Sequence, residues 1–262
     1  MTYFGFLAWF VGLPILILLA VTWFDYRRGK QMPAGLSTYS PWLVLAAHVV
    51  VALLYTTPWD NYLVANSVWW YDPQKVTGIV FGWVPIEEYT FFIVQPIMTG
   101  LWFLFLARRQ PDRPEKPWVN NRLRKSMTGA LAAIWLVALV LWLSGASQFV
   151  YLTLILLWAL PPIMLQMAFG ADILWRHGRL ALLGFGIPTL YLALADALAI
   201  STGIWTIDPA QSVHFLLGGI LPVEEFLFFL VTNVLIVMGM TLVLAAESQL
   251  RVAEWSQIVR SF

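Results

Sequence analysis

Residues 221–233 read Leu221-Pro222-Val223-Glu224-Glu225-Phe226-Leu227-Phe228-Phe229-Leu230-Val231-Thr232-Asn233, and residues 84–96 read Val84-Pro85-Ile86-Glu87-Glu88-Tyr89-Thr90-Phe91-Phe92-Ile93-Val94-Gln95-Pro96. Each stretch sets two glutamates just after a proline, in the middle of a long apolar run. Proline is well tolerated at the first position of a helix, and acidic groups in the first turn suit the positive end of its dipole. Pro85 and Pro222 are therefore expected to start or to kink a helix. One reading of the glutamates is an N-terminal charge pattern at a membrane interface. The other is a set of carboxyl groups held inside the membrane, where ionisable side chains are expensive and mark a function by default.

The surrounding chain decides the solvent. Of 262 residues, 60% are hydrophobic and 11% charged, and the mean hydropathy is +0.77. A soluble domain is about a quarter charged, so this chain lacks the polar surface to coat a globule in water. A membrane span needs about 20 apolar residues. Seven stretches qualify: 3–24, 41–57, 77–107, 126–144, 149–169, 180–201 and 215–246. The expected fold is all-α and membrane-embedded. The first stretch has no basic segment before it and is read as a retained helix rather than a cleaved signal. Lysine and arginine test the topology: the odd-numbered loops and the tail hold 14 of the 15, the even-numbered loops one. Basic residues collect on the cytoplasmic side, which predicts a multi-pass protein of the cell membrane with the N-terminus outside and the C-terminus cytoplasmic. The third loop, with Arg108, Arg109, Pro111, Arg113, Pro114, Lys116 and Pro117, reads as a linker between halves.

The halves are copies. Asp60, Trp69, Asp72 and Pro73 align with Asp196, Trp205, Asp208 and Pro209 at a constant offset of 136, and after a one-residue gap the Pro-x-Glu-Glu-x-x-Phe-Phe motifs align. Helices 1–3 thus match helices 5–7, with helix 4 as a connector. Matched helices lie an even number of spans apart, so the repeats are parallel and related by a pseudo-two-fold axis along the membrane normal. Both motifs then lie at one depth, nearer the outer face.

No lysine or arginine lies inside the motif-bearing stretches. Without a cation, apolar surroundings favour a carboxylic acid that keeps its proton near neutral pH, a Brønsted acid in a dry site. Phe91 and Phe228 follow Glu87 and Glu224 by four residues, and Phe92 and Phe229 follow Glu88 and Glu225 likewise, so each ring shares a helix face with a carboxyl group. Aromatic faces stabilise a nearby cation, although each ring is equally consistent with ordinary packing. Together the groups suit protonation of a hydrocarbon double bond to a carbocation, with a second carboxylate to remove a proton.

At this point the doubled pattern Asp…Trp…Asp-Pro…Pro-x-Glu-Glu-x-x-Phe-Phe resembles the lycopene cyclase domain of the heterodimeric type, with two such domains fused in one chain. The resemblance implies a division into a first lycopene cyclase repeat over 1–107, a basic linker and connector helix over 108–148, and a second repeat with the tail over 149–262. It implies an isomerase of carotenoid biosynthesis that closes the ends of lycopene to β-ionone rings through γ-carotene to β-carotene, with no net redox change, no cofactor and no metal. Its implied catalytic residues are Glu87, Glu88, Glu224 and Glu225. Trp83, Phe91, Phe92, Phe228 and Phe229 would screen the cation, and Asp60 and Asp196 would support. Implied partners are lycopene and related carotenoids, membrane lipid and other carotenoid-pathway enzymes. The copies differ at Tyr89 against Phe226, Gln95 against Thr232 and Pro96 against Asn233, which leaves open whether both are active.

Other constellations exclude competing classes. A net charge of +1 argues against a nucleic-acid partner, and the lack of cysteine removes disulfides and thiolate chemistry. His48, His177 and His214 form no metal-binding box, and Gly184-Phe-Gly186-Ile-Pro188 does not complete a dinucleotide fingerprint. All four lysines lie in loops, so a retinal Schiff base inside the bundle has no donor. Asp72-Pro73 and Asp208-Pro209 read as turns or helix starts, and Trp69 and Trp205 fit an interfacial belt or a pocket wall. A cyclase of C50 carotenoids giving ε- or γ-rings, a proton-coupled transporter and a non-catalytic scaffold remain as alternatives.

Overall fold

The computed structural model describes residues 1–111 and 118–260. Arg113, Pro114, Lys116 and Pro117 of the basic linker and the last two tail residues lie outside the described residues. Among the described residues seven helices are long and apolar enough to cross a membrane, and the chain is an α-helical multi-pass protein. They are α1 (Tyr3–Arg27, with a π-helical turn over Ala8–Gly12), α2 (Pro41–Ala65), α3 (Ile86–Ala107), α4 (Asn121–Leu143), α5 (Val150–Arg176), α6 (Gly178–Ser201) and α7 (Val223–Leu244). The C-terminal tail folds as α8 (Ala246–Arg260).

α3 and α7 form the centre and are the most buried helices. α1 and α2 pack on α3, and α5 and α6 on α7, while α6 also meets α3 and α2 meets α7. α4 lies outside against α5, with almost none of its residues buried. Small residues allow these close approaches, as is usual where lipid supplies no hydrophobic drive between helices. A Cβ at Gly100 on α3 would strike Leu45 of α2, and one at Gly239 on α7 would strike His48.

The apolar runs before the motifs do not extend the helices, as the 77–107 and 215–246 stretches suggested. Strands β2 (Val80–Phe81) and β3 (Val84–Pro85) form a hairpin, as do β5 (Leu216–Leu217) and β6 (Leu221–Pro222). Gly82 (φ +67°) sits in the first turn, and Gly218 and Gly219 (φ +61° and +73°) in the second, a backbone that side-chain-bearing residues rarely adopt. Each hairpin ends on the motif proline, which caps the following helix in an extended conformation. In the other direction, α2 continues past position 57, where the apolar stretch stops, to Ala65, and carries Asp60 buried within it.

A pseudo-two-fold axis is visible at the hairpin end of the bundle. β1 (Trp69–Tyr71) pairs antiparallel with β4 (Trp205–Ile207), matching Trp69 with Ile207 and Tyr71 with Trp205. The outer bonds are reciprocal: Asp72 N donates to Ile204 O at 3.0 Å and Asp208 N to Val68 O at 2.8 Å. Each residue in this ribbon is offset by 136 from its mate across the axis, so the axis passes between Trp70 and Thr206. Asp72 and Asp208 make turns, accepting from Gln74 N and Ala210 N, both at 2.9 Å. The bond from Gln74, with Lys75 beside it, holds the Asp72 carboxyl below the usual range.

The opposite, basic end is held by ion pairs. Asp25 of α1 accepts from Arg109 at 2.8 and 3.0 Å and pairs with Arg108 at 3.4 Å. Asp172 of α5 accepts from both terminal nitrogens of Arg251 on α8, at 2.9 and 2.8 Å, and from the backbone of Asn120 at 3.0 Å. Asp172 is fully buried, and removing one partner of a buried pair strands the other charge. Asp172→Ala is expected to lower the unfolding free energy in detergent by about 3–5 kcal/mol, read by denaturant titration of the purified protein. A change below about 1 kcal/mol would show that Arg251 finds water or another acceptor instead.

Candidate active site

Both glutamate pairs occupy the first turn of their helix, and adjacent positions there diverge by about 100° around the axis of a helix with ~3.6 residues per turn. The first glutamate of each pair turns back to the loop before the hairpin. Glu87 Oε1 accepts from Thr77 N at 2.6 Å, and Glu224 Oε1 accepts from Val213 N at 2.6 Å and from Ser212 Oγ at 3.1 Å. Thr77 and Val213 are themselves offset by 136, so the two latches are copies. Both side chains are fully buried, and the second oxygen of each has no hydrogen-bond donor.

The second glutamates meet. Glu88 and Glu225 line one small chamber of about 50 Å3 together with Asp60 and Asp196, one aspartate and one glutamate from each repeat. No lysine or arginine is among the lining residues. Instead, neutral donors approach the carboxyl groups. Tyr3 on α1 donates to Glu88 Oε2, and Tyr151 on α5 donates to Glu225 Oε1 at 2.6 Å. Trp205 Nε1 donates to Asp196 Oδ1 at 2.9 Å. Its mate Trp69 bonds Tyr71 Oη at 3.1 Å rather than Asp60, because position 71 is tyrosine where the other copy has Ile207. Tyr71 in turn reaches Glu88, and burial, with the Glu88 charge beside it, pushes its phenol well above the ordinary range. Oδ2 of Asp60 and Oδ2 of Asp196 have no donor. Asp196 lies against Glu225, a carboxyl–carboxyl contact that is a hydrogen bond only when one group carries a proton.

Aromatic rings close the chamber. Phe91, Phe228 and Phe229 line it, with Tyr3, Phe6, Trp69 and Trp205 toward the β1–β4 ribbon. Phe228 stacks on Trp59 at 5.6 Å, which stacks on Trp158 at 4.5 Å. Phe92 borders a neighbouring cleft instead, which it shares with Phe91 and Phe228. Trp83 stands apart in the β2–β3 turn, largely exposed, its backbone N–H donating to Asn61 Oδ1 at 2.9 Å. Of the residues singled out in the sequence, the fold therefore gathers Glu88, Glu225, Asp60, Asp196, Phe91, Phe228 and Phe229, and leaves Glu87, Glu224, Phe92 and Trp83 outside the chamber. Among the described residues, no group of three or more His, Asp or Glu side chains is arranged to hold a metal ion.

Tyr3 and Tyr151 were not visible as site residues in the motifs. The signal lies in a second register: Tyr3 and Pro14 repeat as Tyr151 and Pro162 at an offset of 148. Trp59 and Trp158 carry no repeat signal, since their mates are Ala195 and Phe10.

The latch makes a local prediction. Glu87→Ala removes the acceptor of the Thr77 N–H and should speed hydrogen exchange of that amide about five-fold, the equivalent of ~1 kcal/mol. Glu87→Gln keeps a carbonyl oxygen at the same place and should leave the rate close to wild type. Equal exchange in both variants would mean that the loop is held by other bonds.

The family model described as lycopene cyclase matches residues 1–106 and 147–243. A lycopene beta-cyclase of Halobacterium salinarum is 38% identical over 92% of this chain and 95% of its own. A bifunctional lycopene cyclase/phytoene synthase of Aspergillus oryzae is 31% identical over 84% of this chain and 38% of its own, and one of Podospora anserina is 34% identical over 76% and 34%. No solved structure matches the chain. The matched segments run through both motifs, both aspartates and all three tyrosines of the chamber, and stop on either side of α4: the chain belongs to the lycopene cyclase family.

Proposed function

We propose that this protein is a lycopene β-cyclase that works by acid–base catalysis in the chamber on the pseudo-two-fold axis. The single observation that carries the reading is the convergence of Glu88, Glu225, Asp60 and Asp196 among aromatic rings with no cation in the lining. Four negative charges in so small an apolar site would repel strongly, so the groups share protons. A carboxylic acid there delivers a proton to C2 of the acyclic end and leaves a tertiary cation at C1. The C5=C6 double bond attacks C1 and closes the ring, and the cation moves to C5. A carboxylate then removes the C6 proton and yields the β-ring. One proton enters and one leaves, with no net redox change and an intramolecular lyase-type isomerisation as the result. Phe91, Phe228 and Phe229 lie where aromatic faces stabilise the cation, and the dry lining keeps water from capturing it.

Glu88 and Glu225 serve as acid and base. Glu87 and Glu224 act through them, by latching the hairpin that sets the first helical turn. In this reading two lycopene cyclase domains of the heterodimeric type, 1–107 and 149–262, are fused through a linker and connector helix over 108–148. The distribution of basic residues supports a cell-membrane location with the N-terminus outside and the C-terminus cytoplasmic. Membrane lipid supplies the carotenoid, and the fungal relatives named for both a cyclase and a phytoene synthase support other carotenoid-pathway enzymes as partners.

Because both repeats build one chamber, neither motif works alone. Glu88→Gln and Glu225→Gln should each lower formation of the first and the second ring by at least about 100-fold, within the usual weight of a general acid or base. The measurement is pigment chromatography of lycopene-loaded nanodiscs holding folded protein. Glu87→Gln should cost less than about ten-fold, since its latch survives. Sustained γ-carotene output from either second-glutamate variant would mean two independent sites and would sink the shared-chamber mechanism.

A further inference from the structure

A second cavity of about 280 Å3 lies beside the chamber, between α2, α3, α5 and α7. Phe91 and Phe228 line both spaces, so these two rings are the partition between them. Ala47, Val51 and Tyr55 bring the cleft to the exposed face of α2. α2 and α5 are joined near the ribbon end, where Tyr55 Oη donates to Trp158 O at 2.8 Å and Trp59 Nε1 to Leu154 O at 3.1 Å. Below those bonds the cleft separates them.

The equivalent place across the axis is closed by a side-chain bridge centred on Asn233, which the first repeat replaces with Pro96. There Asn233 of α7 accepts from Gln95 Nε2 at 2.8 Å and from Thr99 Oγ1 at 2.6 Å, both on α3, and donates to Thr189 Oγ1 of α6 at 3.1 Å. By the repeat offsets, the mates of Asn233, Thr99 and Thr189 are Pro96, Ile236 and Leu53. None of these three can make a side-chain hydrogen bond, so that three-helix bridge has no counterpart on the cleft side, where Gln166 Nε2 of α5 donates to Leu235 O of α7 at 2.9 Å instead. Apolar packing completes the seal on the far side, where Leu18, Met98, Leu192 and Phe229 belong to one cluster. The mates of Leu18 and Met98 on the cleft side are Gln166 and Leu235.

We propose, resting on the cyclase reading above, that this cleft is the doorway and seat of the substrate's polyene chain, and that it admits one end of the carotenoid at a time. The occupant follows from the surroundings. The cleft opens on a face that lipid covers, it is lined mainly by apolar and aromatic groups, and it leads through Phe91 and Phe228 to the carboxyl groups. The chamber itself is far below the ~300–1,000 Å3 of ordinary ligand pockets, whereas the cleft nearly reaches it. An end group therefore enters the chamber only as the two phenyl rings move aside, and the rest of the chain stays in the cleft, beside Trp158. With the opposite face sealed, the second end has no door of its own. The monocyclic product withdraws, turns end for end in the bilayer and returns through the same cleft.

The chain has no cysteine, so single cysteines report on one site each. Val51 on the cleft rim and Ile187 are mates across the axis, and both are exposed. In nanodiscs, lycopene should slow the modification of Val51→Cys by a lipid-soluble maleimide about five-fold, as expected where a ligand buries most of its surface, and leave Ile187→Cys unaffected. In parallel, Val51→Trp should reduce lycopene conversion about ten-fold by narrowing the cleft, while Ile187→Trp stays within about two-fold of wild type. Equal protection at both cysteines, or none at Val51→Cys, in protein that converts lycopene would overturn the one-sided doorway. Protection confined to Val51→Cys without any ring formed would uphold the doorway and remove the cyclase reading instead.

Discussion

Carboxyl groups buried in an apolar bundle without cations govern this structure. Asp60, Glu88, Asp196 and Glu225 converge on the pseudo-two-fold axis, and none of them is met by a lysine or arginine in the chamber. The fold answers with neutral donors. Phenols come from α1 and α5, an indole N–H comes from β4, and each arises from an element that the repeat brings to the axis. A salt bridge would neutralise the charge but also bind the proton tightly away from a hydrocarbon substrate. A phenol or indole satisfies one oxygen and leaves the other free, which is the state of Asp196, bonded by Trp205 at one oxygen and by no donor at the second. The same bundle does use ion pairs at its basic end, where Asp25 and Asp172 meet arginines. The two ends thus treat acidic residues in opposite ways.

The placement of those groups is a problem of helix starts. A continuous helix through each apolar run would carry the glutamates in its middle, with no control over where the first turn lies. The hairpins remove that freedom. Glycines with positive φ turn the chain, the proline ends the ladder, and the helix begins one residue later at a depth set by the hairpin. The first glutamate then clamps the loop while the second faces the axis. Neighbouring residues of one motif hold distinct positions because the helix turns between them.

Duplication supplied symmetry, and a few substitutions broke it. Asn233 against Pro96 is the clearest case, since a single side-chain amide ties α7 to α3 and α6, while proline at the matched place offers no donor. Trp59 and Trp158 stack only on the cleft side. The chamber keeps its near-symmetric acids and the route to it does not. Chemistry at the axis needs both halves, and a polyene needs only one way in.

The sequence alone was enough for the seven apolar spans, the duplication and a set of six acidic candidates, because composition, a constant offset and a paired motif are all local or periodic signals. It also held the tyrosines in a second register that the first one masks. It misjudged the runs before Pro85 and Pro222, since apolar residues read alike in a hairpin and a helix, and only glycine φ angles and strand pairing separate them. Which glutamate of each pair faces the axis was decided by the tertiary structure, through the Thr77 and Val213 amides that claim the first. So were the removal of Trp83 from the chamber, the arrival of Tyr71 in it and the stacking of Trp59 and Trp158 with Phe228. These are contacts between residues far apart in the chain, and their geometry exists only once the helices have packed.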